Sequence, residues 1–309
     1  MYTIDFIKPE WMLTCFHFIG IISIFLNSFG IYLVVFECKK MGIFRFYLLI
    51  YQVACFMTDI HLTFLMQPIP LFPLFAVYTV GILWKWFSIS SSISLQVFVT
   101  CILVQFGMLV VCFINKHQTI GSILKTHVAS RYSKLLAWVY FVTIFPMPAI
   151  ALNIIHVPKE KQYQYIQTHA PEYIYNFFEL PNLDIWEHNY KYVIITVIAL
   201  TTMFVGTIFV TFLVVDILRL MQRLRLQISV QTYQKHKEAM RSLMVQSITV
   251  VFCILPIFIF LIFNLLELPH SQFISELCIV WFSGHSSINM VSLMMFFRPY
   301  RQFISKRIK

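Results

Sequence analysis

Long runs of apolar residues without charges are the feature that most constrains the fold of this chain. Six runs contain no Asp, Glu, Lys or Arg. Each is long enough for a membrane-spanning helix, which crosses a hydrocarbon core of about 30 Å in about 20 residues. A helix satisfies its own backbone hydrogen bonds, so it is stable in lipid. The sequence therefore predicts an all-α protein that crosses the membrane several times.

The composition supports the same fold class. Apolar residues make up 59% of the chain, charged residues only 12%, and the mean hydropathy is +0.78. These values exclude a water-soluble enzyme, a nucleic-acid-binding domain and a disordered chain. The net charge of +10 is consequently interpreted as a signal of membrane topology rather than of nucleic-acid binding.

One further apolar stretch, residues 46–84, allows two interpretations. It contains a single charge, Asp59, and three prolines that interrupt a helix, at positions 68, 70 and 73. It could form one span followed by an apolar segment at 69–84, or two short spans. The choice decides whether the chain has seven spans or eight.

The distribution of charges favours seven spans with an extracellular N-terminus and a cytoplasmic C-terminus. In that arrangement all but five of the 23 Lys and Arg residues lie in the inner loops and the C-terminal tail, as the positive-inside rule expects. An eighth span would place the third basic loop and the basic tail outside. We therefore predict a single seven-transmembrane helix bundle over residues 1–309. The predicted spans are residues 11–36, 46–67, 86–114, 135–156, 192–215, 242–266 and 277–297.

Four polar residues inside the predicted spans are candidates for a conformational switch. They are Asn27 in the first span, Asp59 in the second, and His285 and Asn289 one helical turn apart in the seventh. Their predicted depths agree within about two turns, at about 1.5 Å per residue. An acid in a membrane is costly and indicates a functional site. A purely structural hydrogen-bond cluster is the alternative interpretation.

The sixth span contains Phe252 and Pro256, which we add to the switch candidates. Pro256 removes one backbone hydrogen bond and is expected to bend the helix. The bend could serve as a pivot. It could equally be a static kink that neighbouring helices tolerate.

Two sets of residues at the ends of the spans are candidates for binding partners. Aromatic and hydroxyl side chains near the outer ends of the third and seventh spans could contact a small, weakly polar ligand, or the aromatic ones could be interfacial anchors. These residues are Trp86, Ser88, Ser91, Ser92, Trp281 and Phe282. Basic side chains at the inner ends could face a protein partner, or contact lipid headgroups. These residues are Lys116, His117, Arg219, Arg223, Arg225, Lys235, Lys237 and Arg241.

Several local motifs make the resemblance to one family specific. They are NSFGIYL at residues 27–33, FRFYLL at 44–49, DIHLTFLMQP at 59–68, KHQ at 116–118 and RPYR at 298–301. Together with the seven spans and the Phe252 to Pro256 spacing, these motifs resemble the nematode serpentine chemoreceptors of class I, whose near relative is class H. The resemblance covers nearly the whole chain.

This resemblance implies a G-protein-coupled chemosensory receptor in the plasma membrane or cilium of a sensory neuron. Its implied partners are a small-molecule ligand, a heterotrimeric G protein and the lipid bilayer. The third span ends in Asn115-Lys116-His117, without the acidic-Arg-aromatic triad of rhodopsin-like receptors, and the seventh lacks Asn-Pro-X-X-Tyr. The switch residues of those receptors therefore cannot be transferred to this chain as a set.

A seven-helix transporter or ligand-gated channel is the alternative function. A conducting path requires several ionisable residues within the spans, and this chain has few besides Asp59 and His285. An enzyme is not expected, because the chain contains no intramembrane protease motif and no His-Glu-X-X-His metal signature. We expect no cofactor, no metal site and no nucleic-acid partner.

Overall fold

The structure is a computed structural model that describes residues 4–38, 42–126, 139, 142–143 and 146–308. Its strands are β1 (Pro68–Leu71), β2 (Ala76–Thr79) and β3 (Leu183–Ile185). Its helices in chain order are α1 (Glu10–Phe36), α2 (Phe44–Ile60), α3 (Ile82–Phe87), α4 (Ser91–Ile123), α5 (Met147–Ile155), α6 (Lys159–His169), α7 (Ile174–Glu179), α8 (Tyr190–Leu224), α9 (Val230–Leu265), α10 (Ser271–Ser283), α11 (His285–Phe296) and α12 (Arg298–Ile308). A π-helical segment, His61–Met66, continues α2.

Within the described residues, six helical segments are long and apolar enough to cross a membrane. They are α1, α2 with its π-helical continuation, α4, α8, α9, and α10 together with α11. Six of the seven predicted spans therefore correspond to helices. The fourth, residues 135–156, is described only at residues 139, 142–143 and 146–156, and α5 is the helix that the structure gives there.

The helices of the third and seventh spans begin at other residues than the predicted spans do. Helix α4 begins at Ser91 rather than at residue 86, because Ser88 adopts a left-handed conformation (φ 52°) that ends the short helix α3. Ser90 then caps α4 by accepting a hydrogen bond from the Ile93 N–H. Trp86 and Ser88 consequently do not open the third span. The seventh span begins at Ser271, and Gly284 separates its two helices.

The apolar segment after α2 forms a β-hairpin rather than an eighth span. Strand β1 pairs antiparallel with β2, and β2 pairs antiparallel with β3 from the loop that precedes α8. We call the end of the bundle that carries this sheet the sheet end. We call the opposite end, which carries α12, the basic end. Proline fits β1 because that strand lies at the edge of the sheet, where a missing N–H donor is tolerated.

The core of the bundle fills its basic half, where α1, α2, α4, α8, α9 and α11 contribute buried side chains. Tyr51, Phe113 and Ile217 are among the fully buried residues there. A separate cluster lies beneath the sheet, where Phe6 packs edge-on against Phe177 at 4.9 Å between ring centroids. The sheet end therefore has its own small core.

A buried carboxylate, Asp184 in β3, connects the sheet to the third span. Its Oδ2 accepts a hydrogen bond from the Ser92 N–H at 2.8 Å, in the first turn of α4. Its Oδ1 lies 3.0 Å from both His156 Nε2 and Lys159 Nζ. Burial alone would raise the pKa of Asp184, but hydrogen bonds from His156, Ser92 and Lys159 outweigh it and lower the pKa below its ordinary value. The carboxylate thereby stays ionised and stabilises the N-terminus of α4.

We predict that Asp184→Asn destabilises the protein by about 1–3 kcal/mol, because His156 and Lys159 lose a charged partner. Since the folded pKa is depressed, the carboxylate stabilises the fold fully above the ordinary value of 3.8 and loses this effect as the pH falls through the folded pKa. Thermal unfolding of the purified protein should show a constant gap between variant and wild type above that pH, and a shrinking gap below it. A gap independent of pH down to strong acid would contradict this assignment.

Gly81 and Gly30 both lie where another chain segment approaches closely, and their surroundings differ. A Cβ at Gly81 would overlap the backbone of Leu65 and Met66, whereas a Cβ at Gly30 would meet only the flexible side chain of Met290. We predict that Gly81→Ala destabilises the protein by about 1–3 kcal/mol, since the backbone cannot yield without strain. Gly30→Ala should be nearly neutral, because Met adapts and Ala favours a helix. Melting temperatures in detergent would test this order, and equal effects would contradict it.

Candidate functional site

Asp59 lies at the centre of a polar cluster within the bundle. Its side chain is 1% exposed. Ser23 Oγ of α1 donates a hydrogen bond to Asp59 Oδ2 at 2.6 Å, and His285 Nδ1 of α11 lies 3.5 Å from Oδ1. The carboxylate of α2 therefore contacts both the first and the seventh span.

Asn27 extends this cluster through both ends of its amide. Its Nδ2 donates to Ser23 Oγ at 2.8 Å and to the Ser23 carbonyl at 3.0 Å. Its Oδ1 accepts from Gln52 Nε2 at 2.5 Å and from Ser286 Oγ at 2.8 Å. One buried amide thus joins α1, α2 and α11 by four hydrogen bonds.

His285 links the cluster to the third span. Gln105 of α4 is fully buried, and its Nε2 lies 2.7 Å from His285 Nε2. His285 Nδ1 lies 2.7 Å from the carbonyl of Phe282. Since an amide NH₂ can only donate, Nε2 accepts and Nδ1 carries the hydrogen, which we assign from this hydrogen-bond pattern. The neutral imidazole ring thus connects Gln105 of α4 to the backbone of α10 by two hydrogen bonds.

Some buried polar atoms of this region lack hydrogen bonds within the described residues. They are Asp59 Oδ1, Gln105 Oε1 and both amide atoms of Asn289. Asn289 is only 1% exposed. A polar group without a hydrogen bond costs more free energy in a dry interior than at a surface. These unpaired atoms therefore reduce the stability that the cluster gives to the bundle.

The sequence pointed to Asn27, Asp59 and His285, and the structure brings these three together. Asn289 lies one turn further along α11 without a hydrogen bond to them in the described residues. Sequence reasoning missed the uncharged partners. A usable signal existed for Ser23, which lies four residues before Asn27 on the same helical face. The remaining missed partners are Gln52, Gln105 and Ser286.

The sixth span contains the other two switch candidates. Helix α9 runs continuously through Pro256. The Phe252 side chain is 50% exposed, and its ring lies 5.2 Å from the ring of Trp281 on α10. The structure therefore places Phe252 on the contact between the sixth and seventh spans, at an aromatic pair rather than in the Asp59 cluster.

The six candidate ligand residues lie in three different environments. Trp86 is 75% exposed, and Ser88 is also exposed. Ser91 and Ser92 are buried at the start of α4, where Ser91 contacts Thr79 and Asn182 and Ser92 donates to Asp184. Their polar groups stabilise the sheet end.

The two remaining ligand candidates, Phe282 and Trp281, lie on α10. The Phe282 ring is buried and stacks on His285, with 4.6 Å between centroids. Trp281 Nε1 is a buried donor without a hydrogen-bond partner in the described residues. Phe282 therefore joins the ligand candidates to the Asp59 cluster directly.

At the basic end, Lys116 and His117 contact neighbouring helices. Lys116 is 5% exposed; its Nζ lies 2.9 Å from His236 Nδ1 of α9 and 5.3 Å from the centre of the Phe44 ring. His117 Nε2 lies 2.7 Å from the Asp216 carboxylate of α8. The side chain of Lys235 lies outside the described residues. The other five candidates, Arg219, Arg223, Arg225, Lys237 and Arg241, are exposed.

The described residues contain no group of three or more His, Cys, Asp or Glu side chains that could hold a metal ion. The candidate residues form hydrogen bonds between helices within the bundle and place positive charges at the basic end. The six helices that are long and apolar enough to cross a membrane indicate an integral multi-pass membrane protein, and polar clusters between such helices hold them together or mark functional sites.

Comparison with protein families gives a specific assignment. The model of the serpentine type seven-transmembrane GPCR chemoreceptor family Sri matches residues 2–304. The chain therefore belongs to this family of chemosensory receptors, as the sequence motifs indicated. A search of curated proteins finds no match.

The Asn27 amide offers a direct test of the cluster. We predict that Asn27→Leu destabilises the protein by about 1–3 kcal/mol, because Gln52 and Ser286 lose a buried acceptor. Asn153→Leu is the matched control, since the exposed Asn153 accepts a single hydrogen bond from the described part of the chain, donated by Gln96. Thermal unfolding in detergent should show a clear loss for Asn27→Leu alone. Similar losses in both variants would contradict a special role for Asn27.

Proposed function

We propose that the protein is a chemosensory receptor that binds a small molecule near Trp281 and Phe282 and activates a heterotrimeric G protein at its basic end. The sheet end would then face outwards and the basic end the cytosol, in the plasma membrane or cilium of a sensory neuron. Family membership supports the receptor class. The main observation in support of a conformational switch is the Asp59 cluster, because it connects four spans at a depth between the two ends of the bundle.

The contact between Phe282 and His285 supports transmission of a ligand signal to this cluster. The Phe282 ring stacks on His285, and its carbonyl accepts the His285 N–H. A ligand that displaces Phe282 must therefore also displace the imidazole. His285 in turn contacts Asp59 and Gln105. In this proposal the aromatic pair of Phe252 and Trp281 would move with it, and Pro256 would be the pivot of the sixth span.

The unsatisfied atoms of the cluster support the existence of a second arrangement. Asp59 Oδ1, Gln105 Oε1 and the Asn289 amide form no hydrogen bond within the described residues, so a rearrangement that pairs them would gain hydrogen bonds. A ligand shifts the equilibrium between two states only if it binds them with different affinity. In this proposal a few new hydrogen bonds are enough to give the cluster a second arrangement of similar free energy.

At the basic end, movement of the fifth or sixth span would change the contacts of the third. Lys116 contacts His236 on α9, and His117 contacts Asp216 on α8. Separation of these helices would uncover Lys116 and His117. In our proposal a Gα subunit then binds the uncovered pair together with the bases near the end of α8 and in α9, which are Arg219, Arg223, Arg225, Lys235, Lys237 and Arg241.

We predict that Asp59→Ala lowers basal G-protein signalling per receptor at the cell surface at least about fivefold, the lower range of allosteric coupling. The reason is that Asp59 joins Ser23 of α1 to His285 of α11. The measurement is a reporter assay in cells that co-express a promiscuous Gα subunit, normalised to surface expression.

Asp5→Ala is the matched control, because Asp5 lies at the sheet end and its carboxylate accepts a hydrogen bond from the exposed Ile7 N–H. The control should signal normally. Normal signalling by Asp59→Ala at normal surface expression would reject the switch role of Asp59.

A further inference from the structure

A positively charged cleft lies at the basic end between α9 and α12. Its volume is about 460 Å³. Lys237 and Arg241 lie on α9, one turn apart on the same face, and Arg301 faces them from α12. One carboxylate, Glu238, also lines the cleft, so cations exceed anions there.

The side chains of the cleft match the chemistry of a phosphate group. Arginine donates two parallel hydrogen bonds to phosphate oxygens, and lysine adds a compact positive charge. The carboxamides of Gln234 and Gln302 supply further donors. Phe297, at the end of the seventh span, provides an apolar wall. An anionic ligand with an apolar part would use both features.

The cleft lies at the boundary between the apolar and the charged parts of two helices. Arg241 is the last charged residue before the uncharged stretch 242–266 of α9. Arg301 follows the seventh span closely, after Phe297. Charges at this position on a spanning helix lie at the level of lipid headgroups.

The two bases that α9 contributes to the cleft, Lys237 and Arg241, are exposed and lie away from the buried face of this helix. The buried face of α9 carries Ala239, Met240 and Leu243. Arg241 lies on another face together with Ile248, which is two turns further along the helix and 71% exposed. An acyl chain could therefore extend along α9 from a headgroup in the cleft.

Helix α12 contacts the same membrane boundary on its other side. Its Phe303 packs against Tyr32 and Phe29 of α1, with ring centroids 6.0 and 6.3 Å apart. The Tyr32 side chain is 39% exposed at a membrane-spanning position. Helix α12 therefore packs on the first span through Phe303, while its Arg301 lines the cleft.

We propose that this cleft binds the phosphorylated headgroup of an anionic phospholipid, through Lys237, Arg241 and Arg301. This role goes beyond the proposed coupling to a G protein and does not depend on it. Lipid in the cleft joins the sixth span to α12 and favours the arrangement of these helices that is described here.

The test is native mass spectrometry of the purified full-length chain in detergent, titrated with phosphatidylinositol 4,5-bisphosphate and, separately, with phosphatidylcholine. The variant combines Lys237→Gln, Arg241→Gln and Arg301→Gln. The matched control combines Arg219→Gln, Arg223→Gln and Arg225→Gln, which removes the same charge from exposed positions at the end of α8 and directly after it.

The cleft variant should bind the anionic lipid roughly 100-fold more weakly, because each lost base is worth about a factor of five at an anionic surface. The control should bind as the wild type does, and phosphatidylcholine should bind weakly to all three. Arg301→Gln alone should cost about a factor of five, which keeps the test valid if the triple variant folds poorly.

Three results would overturn the proposal. Equal weakening in the cleft variant and the control would show nonspecific attraction. Equally tight binding of free inositol 1,4,5-trisphosphate would indicate a soluble phosphate ligand. Unchanged lipid binding with loss of binding to a purified Gα subunit would assign the cleft to the protein partner.

Discussion

Lipid offers no hydrogen bonds, and this absence constrains every polar group between the two ends of the bundle. Asp59 can be buried among apolar helices because Ser23 donates to it and His285 lies beside it. Those two partners are themselves bonded to Asn27 and Gln105. The cluster therefore determines which faces of four helices must meet, and a change at one member affects the contacts of the others.

At the sheet end, a buried carboxylate attaches the loop before α8 to the third span. The segment between α5 and α8 contains no cysteine, so no disulfide within it can fasten it to the third span. Asp184 performs this connection instead, because its carboxylate joins β3 to the first turn of α4 and contacts His156 and Lys159. Ser92 takes part through its backbone N–H, and the Ser91 hydroxyl adds contacts to Thr79 and Asn182 at the same end of α4.

The bases of the chain are not equivalent, although topology prediction treats them alike. Lys116 is buried against a histidine and an aromatic ring, whereas Arg219 and Arg223 are exposed on α8. Lys237 and Arg241 share a cleft with α12. Position on the helix, and the face that each residue occupies, decides whether a cation packs between helices or remains available for lipid and protein partners.

Sequence alone determined the helical class, the approximate positions of the six described spans, the family, and three members of the polar cluster. Charge-free apolar runs have only one stable form in lipid, and an intramembrane acid such as Asp59 is too costly to be incidental. Only the tertiary structure decided that the segment after α2 forms a hairpin, that Ser88 delays the third span, and that Gln105 meets His285. The physical reason is that these spans are apolar on almost every face, so hydropathy sets their length and depth but leaves their rotation undetermined. Rotation is fixed by contacts between helices that are distant in sequence.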